Sequence, residues 1–239
     1  MGAYQTFDAA LVASALDWWA DAGVDLLVED VPRDWFAAPP PPRPAAAADA
    51  PPPVPALPAT LEAFAAWRTG PDAPDAGWSG AAVAASGPTD AALMVLLDCP
   101  DREDGDAGAL LAGIQGRLFD RMLAAIGLSR DTIHLAAVCA RRPVAGRMPR
   151  ETEARLSDIS KHHVGLVAPK RLLCLGNAAS RAILGAEMPG TRGSLHGFHH
   201  KGGETGVVAS FHPRFLLEKP VAKAEAWKDL QLLMGNLSA

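Results

Sequence analysis

At 239 residues, 49% hydrophobic and with a net charge of −5, the chain is long enough for one ordinary domain plus an appendage, and too apolar to be disordered. No apolar run reaches the ~18 residues that a membrane span needs, and residues 1–7 lack the basic-then-apolar pattern of a signal peptide, which predicts a cytoplasmic protein with no membrane partner. Charge is uneven: 7 Lys and Arg against 18 Asp and Glu in residues 1–130, then 15 against 9 in residues 131–239, so indiscriminate nucleic-acid binding is disfavoured while the second half can still dock on phosphates.

Residues 6–22 read as a helix, with Thr6 as N-cap, Phe7, Leu11 and Trp18 near one stripe, and Gly23 as the stop. Trp18, Trp19 and Trp35 are residues that pack or pair rather than react. Residues 39–58 hold ten of the 21 prolines, mixed with alanine. Such a stretch buries no core and predicts a semi-rigid tether, with peptide recognition as the rival reading. The expected organisation is a helical appendage over 1–37, a Pro/Ala-rich linker over 38–59 and a domain over 60–239. A protein partner, if one exists, would use the appendage or the linker.

Residues 60–67 read as helical, and 70–88 as a Gly/Pro/Asp-rich loop. Apolar runs at 91–97, 132–138, 171–175 and 206–210 then predict short buried strands. Helical stretches at about 110–126, 149–167 and 178–184 separate them, and 222–233 follows the last. Strand alternating with helix implies an α/β domain with a parallel sheet covered on both faces, and ligands then bind at the carboxyl ends of the strands.

The first such end carries Asp98-Cys99-Pro100-Asp101. A carboxylate there can orient water or stabilise a developing cation, or it can simply cap a helix. The acids from Asp101 to Asp106 read as a solvated loop. After the second strand, Arg141, Arg142 and Arg147 lie on a Pro/Gly-containing loop suited to phosphates, or to plain solvent exposure. The third strand ends in Gly176-Asn177-Ala178, a turn into a helix N-terminus that favours an anion or a cap. The last ends in Ser210-Phe211-His212-Pro213-Arg214, where a histidine can donate to a developing anion or bond to backbone. His196, His199 and His200 have no cysteine or carboxylate nearby to complete a metal site, so none is expected. Cys99, Cys139 and Cys174 form no pair motif and read as buried hydrophobes in a reducing compartment.

Several of these segments fall in a recognisable order. Leu97-Asp98-Cys99-Pro100-Asp101 is followed by Gly113-Ile114-Gln115-Gly116-Arg117-Leu118-Phe119-Asp120-Arg121-Met122-Leu123, then Thr191-Arg192-Gly193, then Ser210-Phe211-His212-Pro213 with Leu216-Leu217, and finally 223–231. Residues 97–237 resemble the uracil-DNA glycosylase superfamily, most closely its iron–sulfur (family 4) branch. The resemblance implies a three-layer sandwich around a short, mainly parallel four-stranded sheet, with the N-terminal helix as an appendage. It places Asp98 at the catalytic acid and His212 at the donor to the leaving base. Cys99, Pro100 and Asn177 fall in substrate loops, Leu111 at a uracil-stacking Phe, and Ala137 at the Asn that reads the uracil edge. Arg141, Arg142, Arg147, Arg192 and Arg214 would contact DNA, with Leu216 and Leu217 as a wedge into the duplex.

Departures from the family pattern shape the expectation. Its members hold a 4Fe–4S cluster with four cysteines, whereas the matching later positions here are Arg141 and Ser157 and no cysteine precedes Cys99. A cluster needs thiolates, so the expectation is no cofactor. Leu111 and Ala137 remove a stacking face and a polar reader, which touches specificity more than chemistry. The expected function is DNA binding with hydrolysis of the N-glycosidic bond of a damaged or deaminated base, in base-excision repair. The alternative is a catalytically inactive glycosylase-fold module that binds DNA or a protein.

Overall fold

The computed structural model describes residues 9–24, 56–143 and 148–235. The chain divides into two units between Val54 and Pro55. In the first, α1 (Ala9–Asp21) carries Leu11, Leu16, Trp18 and Trp19 exposed, with the two indoles edge to face at 5.1 Å. Thr6, Phe7, Trp35 and the tether up to residue 55 lie outside the described residues.

The second unit begins with α2 (Leu61–Thr69), whose N-cap Thr60 accepts a hydrogen bond from the Ala63 amide. It then alternates strand and helix: β1 (Leu93–Leu97), α3 (Asp104–Ala107), α4 (Ile114–Ala125), β2 (Ile133–Ala137), α5 (Arg150–Val167), β3 (Arg171–Leu175), α6 (Asn177–Leu184) and α7 (Met188–Thr191). A hairpin of β4 (His196–His200) and β5 (Gly203–Ser210) follows, then α8 (Pro213–Glu218) and α9 (Lys223–Met234).

The sheet order is β2-β1-β3-β5-β4, parallel throughout except for β4, which runs antiparallel to β5. The expected four strands are all present, but the sheet has five. β4 escaped notice because His196-Gly197-Phe198-His199-His200 is no apolar run. It is an edge strand whose residues alternate half-buried and exposed, as the two-residue period of a strand requires. Two of its imidazoles serve the fold: His196 Nε2 bonds to the Thr191 carbonyl at 2.8 Å and His200 Nε2 to Thr205 Oγ1 at 2.9 Å.

Alternation along the central strands divides the core into two layers. Met94, Leu96, Ala136, Leu172, Cys174 and Val207 face Phe64 of α2, Leu156, Ile159 and Val164 of α5, and Ala179, Ala182 and Ile183 of α6. Leu93, Val95, Leu97, Ile133, Leu135, Leu173, Leu175 and Val208 face Phe119 and Leu123 of α4 and Leu230 and Leu233 of α9. β1 is buried along its whole length, which explains why its sequence, Leu-Met-Val-Leu-Leu, shows no polar alternation.

Two buried acids tie loops to this frame. Asp75 pairs with Arg68 and accepts from the Ala140 and Arg141 amides, while Arg68 donates to the Val138 carbonyl, so the loop before β1 fastens the exit of β2. Asp104 is fully buried and accepts from the amides of Asp101, Leu111 and Ala112. The loop expected to be solvated is therefore folded around its own carboxylate. α4 fits beneath it only because residue 116 is glycine: a Cβ there would lie 1.8 Å from the Leu111 carbonyl oxygen.

Candidate active site

The parallel strands all end at one edge, and the loops leaving that edge carry the chemistry. Asp98 is the first residue past β1 and His212 the second past β5, with β3 between the two strands. At the ~4.8 Å spacing of neighbouring strands, β1 and β5 lie roughly 10 Å apart.

Asp98 turns toward β3 and α6, where its Oδ1 accepts from the Ala179 amide at 2.8 Å. The helix N-terminus read from sequence as an anion site or a capped turn is thus occupied by the chain's own carboxylate. Gly176 makes room for it: the residue has φ 108°, and a Cβ there would sit 2.4 Å from Asp98 Oδ2. Burial dominates over the amide bonds and over the more distant Arg181 and Arg214, and it raises the Asp98 pKa to about 6.

Asp98 also lines a cavity of about 530 Å³ together with Cys99, Cys139, Asn177, Arg150, Glu153, Arg181 and Glu187. Of these only Asp98, Cys99 and Asn177 were candidates from the sequence. The others come from the loop after β2 (Cys139), the first turn of α5 (Arg150, Glu153), the last turn of α6 (Arg181) and the segment before α7 (Glu187). Arg181 Nε bonds to Glu153 Oε1 at 2.5 Å and Nη1 to Glu187 Oε1 at 3.2 Å, forming a charged wall. The signal available beforehand was positional, since helices following β2 and β3 begin at the ligand-binding edge. Burial pushes the Cys99 thiol up to about 11 and the Cys139 thiol higher still, so both are neutral thiols in this wall.

His212 is the N-cap of α8, with Pro213 in the first helical position. Its Nδ1 accepts from the Arg214 amide at 3.2 Å, so the neutral ring carries its proton on Nε2. Burial, reinforced by Arg214, holds the imidazole pKa down to about 3. His212 Nε2 is buried and meets no partner among the described residues. The histidine does not line the 530 Å³ cavity. The β5 exit that delivers it is fixed by Asp229 of α9, whose Oδ2 accepts from Ser210 Oγ at 2.6 Å and from Arg192 Nε at 2.9 Å.

The carboxylate past β1 and the histidine past β5 both fall within a span of the chain that a family model matches. The model of the Uracil DNA glycosylase superfamily matches residues 84–231. The chain belongs to the uracil-DNA glycosylase superfamily. Relatives bearing the name type-4 uracil-DNA glycosylase include one from Pyrobaculum aerophilum, 28% identical over 165 residues, covering 65% of this chain and 83% of the relative. Another, from Archaeoglobus fulgidus, is 25% identical over 148 residues, covering 59% and 74%. A third, from Sulfurisphaera tokodaii, is 26% identical over 147 residues, covering 58% and 67%.

This kinship corrects the expectation that the protein has no cofactor. All three relatives are type-4 enzymes, the branch to which the resemblance attaches the 4Fe–4S cluster, and cofactor-free status does not stand against that. The described residues do not themselves assemble a ligand set. Cys99, Cys139 and Cys174 are free and buried, and no three His, Cys, Asp or Glu side chains among the described residues are placed to hold a metal ion. At the positions matched to cluster cysteines, Arg141 Nη1 donates to the Gly80 carbonyl and Ser157 Oγ to the Ala182 carbonyl.

The remaining candidates of the superfamily pattern divide. Pro100 borders a neighbouring cavity of about 340 Å³, and its carbonyl accepts from Arg142 Nη1 at 3.0 Å. Leu111 is 2% exposed and belongs to the core layer of Phe119 and Leu123, held at φ 54° by the Asp104 carboxylate and by Arg130 on its carbonyl. Ala137 ends β2 beside Leu97 and is only half-buried. Neither Leu111 nor Ala137 lines the 530 Å³ cavity.

Two DNA-contact candidates need correcting. Arg192 is bound to the buried Asp229 and lies over the Phe211 ring at 4.0 Å, so its guanidinium is spent inside the protein. Leu216 is 1% exposed on the buried face of α8 and so is not available as a wedge, whereas Leu217 beside it is half-buried. Arg141, Arg142 and Arg214 remain half-exposed at the site's edge, and Arg147 lies outside the described residues.

Proposed function

We propose that the protein is a DNA N-glycosylase of base-excision repair, with a deaminated or damaged base as its substrate. One observation supports this reading above all: a neutral imidazole with its N–H fixed on a buried, unpartnered Nε2 at the sheet edge where ligands bind. An orphaned buried donor costs roughly 1–3 kcal/mol. Here that cost is consistent with a donor kept ready for a substrate acceptor. The names of the relatives point the same way.

An extruded nucleotide enters from the strand-end edge. As the C1′–N bond breaks, its electron pair leaves with the base, and His212 Nε2–H donates to the oxygen on which negative charge develops. Asp98, as the carboxylate, stabilises the oxocarbenium-like sugar and takes the proton of the water that adds to C1′. The products are a free base and an abasic site. Arg142 and Arg214, with Arg141 and Arg147, hold the DNA backbone, and Leu217 is the residue of the Leu216-Leu217 pair left to touch the duplex.

The test is release of base from single- and double-stranded oligonucleotides carrying uracil or other deaminated bases, read as strand scission at the resulting abasic site. Excision by the wild type, lost on Asp98→Asn and on His212→Ala with DNA binding retained, is the expected result. Binding without excision of any base would establish the non-catalytic module instead.

A further inference from the structure

Asp101 is a buried acid of the loop after β1 that neither the fold nor the proposed chemistry uses fully. Its neighbour in the loop, Asp104, satisfies three amides, and Asp98 satisfies at least one. Asp101 is 9% exposed, yet its Oδ2 is buried with no partner among the described residues. Its Oδ1 bonds to Arg214 Nη1 at 3.1 Å and lies 3.6 Å from Arg142 Nη1. Burial outweighs both arginines and raises the Asp101 pKa from its ordinary value. A carboxylate kept for stability would have both oxygens bonded, because removing a charge from water is repaid only when its lone pairs are satisfied. Asp101 instead holds two arginines of the site's rim with one oxygen and leaves the other unmet.

A single anionic oxygen set between two guanidiniums, as Asp101 Oδ1 is, stands where one oxygen of a phosphate could stand. We infer that Asp101 is a positioning residue that occupies, in the free protein, the place a DNA phosphate takes between Arg214 and Arg142, so that DNA must displace it to bind. Because the Arg214 amide is the partner of His212 Nδ1, the displacement occurs on the same turn that carries the proposed donor. Asp101 thereby preorganises both arginines while discouraging weak or misplaced DNA, setting how strongly the backbone must bind before a base is engaged. This inference rests on the reading above that Arg142 and Arg214 contact DNA.

The experiment measures binding of a short fluorescein-labelled duplex with a central uracil, as a function of salt, for wild type, Asp101→Asn, Asp101→Ala, Arg214→Ala and the Asp101→Asn/Arg214→Ala double variant. Relief of a partly exposed ion pair should tighten binding by up to about fivefold in both Asp101 variants. The salt dependence should steepen by a slope of about 0.7–0.9 for a phosphate contact no longer in competition. KM for excision should fall more than kcat changes. The gain should vanish in the double variant, and the thermal midpoint of both Asp101 variants should hold or rise. Weaker binding, or unchanged affinity and slope, in folded Asp101 variants would overturn the inference while leaving the glycosylase reading intact, provided Arg214→Ala still weakens binding. If neither wild type nor any variant binds the duplex, the reading beneath it fails too.

Discussion

Replacing Asp98 by asparagine should make the protein more stable and less active at once. The fold raises the Asp98 pKa from 3.8 to about 6, so folding favours the protonated carboxyl. The sign follows directly: the contribution is intact below pH 3.8 and is lost as pH rises through about 6. A shift of that size corresponds to a penalty of about 3 kcal/mol at pH 7.5, but only about 1 kcal/mol at pH 4.5. Asn cannot ionise, and its oxygen can still accept from the Ala179 amide. The Asp98→Asn variant should therefore gain up to ~3 kcal/mol at pH 7.5 and ~2 kcal/mol less at pH 4.5, these being ceilings that ignore any strain of the amide against Gly176. Urea unfolding of both proteins at the two pH values measures the difference, and excision assays on the same preparations measure the loss. Equal destabilisation at both pH values would show that Asp98 is a helix cap for α6 and nothing more, and the catalytic assignment would fall with it.

The other expectations are more direct. Single-turnover excision should rise about tenfold per pH unit below pH ~6 and level off above it, because only ionised Asp98 is competent and His212, held near 3, stays neutral throughout; a limb centred at pH 4 would contradict the Asp98 environment. His212→Ala should slow excision by roughly 2.7–4 kcal/mol in barrier, the order found when one anion-stabilising donor is removed, with single-turnover rates as the readout. Arg192→Ala should act on stability rather than on DNA, costing about 3–5 kcal/mol by leaving the buried Asp229 carboxylate without its cation, and an unaltered unfolding midpoint would refute that. Ala168, exposed at the end of α5 with φ 47°, should tolerate glycine with a gain of roughly 0.5–1 kcal/mol in unfolding free energy.

What could be read in the sequence follows from how each feature is held together. The four parallel strands were legible because burial on both faces demands unbroken apolar runs, and the helices between them because each presents one apolar stripe. β4 was not, since an edge strand needs only alternate burial and its histidines mimic a metal motif. The acids after Asp98 misled for a related reason. Composition cannot separate a solvated carboxylate from Asp104, which is buried because three loop amides converge on it. The strand-end positions of Asp98 and His212 were legible because each closes an apolar run. Arg192 was misassigned because its partner Asp229 lies 37 residues further on, with no local trace. The charged wall of Glu153 and Arg181 was missed because it exists only when two helices meet.

The Arg68–Asp75 pair bears on where this chain can be shortened. Both residues precede the span matched by the superfamily, 84–231, yet they supply the acceptors for the Ala140 and Arg141 amides and the donor to the Val138 carbonyl. A chain trimmed to that span would strip these groups of their partners at about 1–3 kcal/mol apiece, against a total stability of order 5–15 kcal/mol. It would also remove Phe64 from one core layer and Leu233 from the other. The span recognisable by kinship is therefore smaller than the span able to fold. The autonomous piece starts no later than the Thr60 cap and ends no earlier than Leu233, and the segment ahead of the recognisable region is a clasp on the active edge, not a spacer before it.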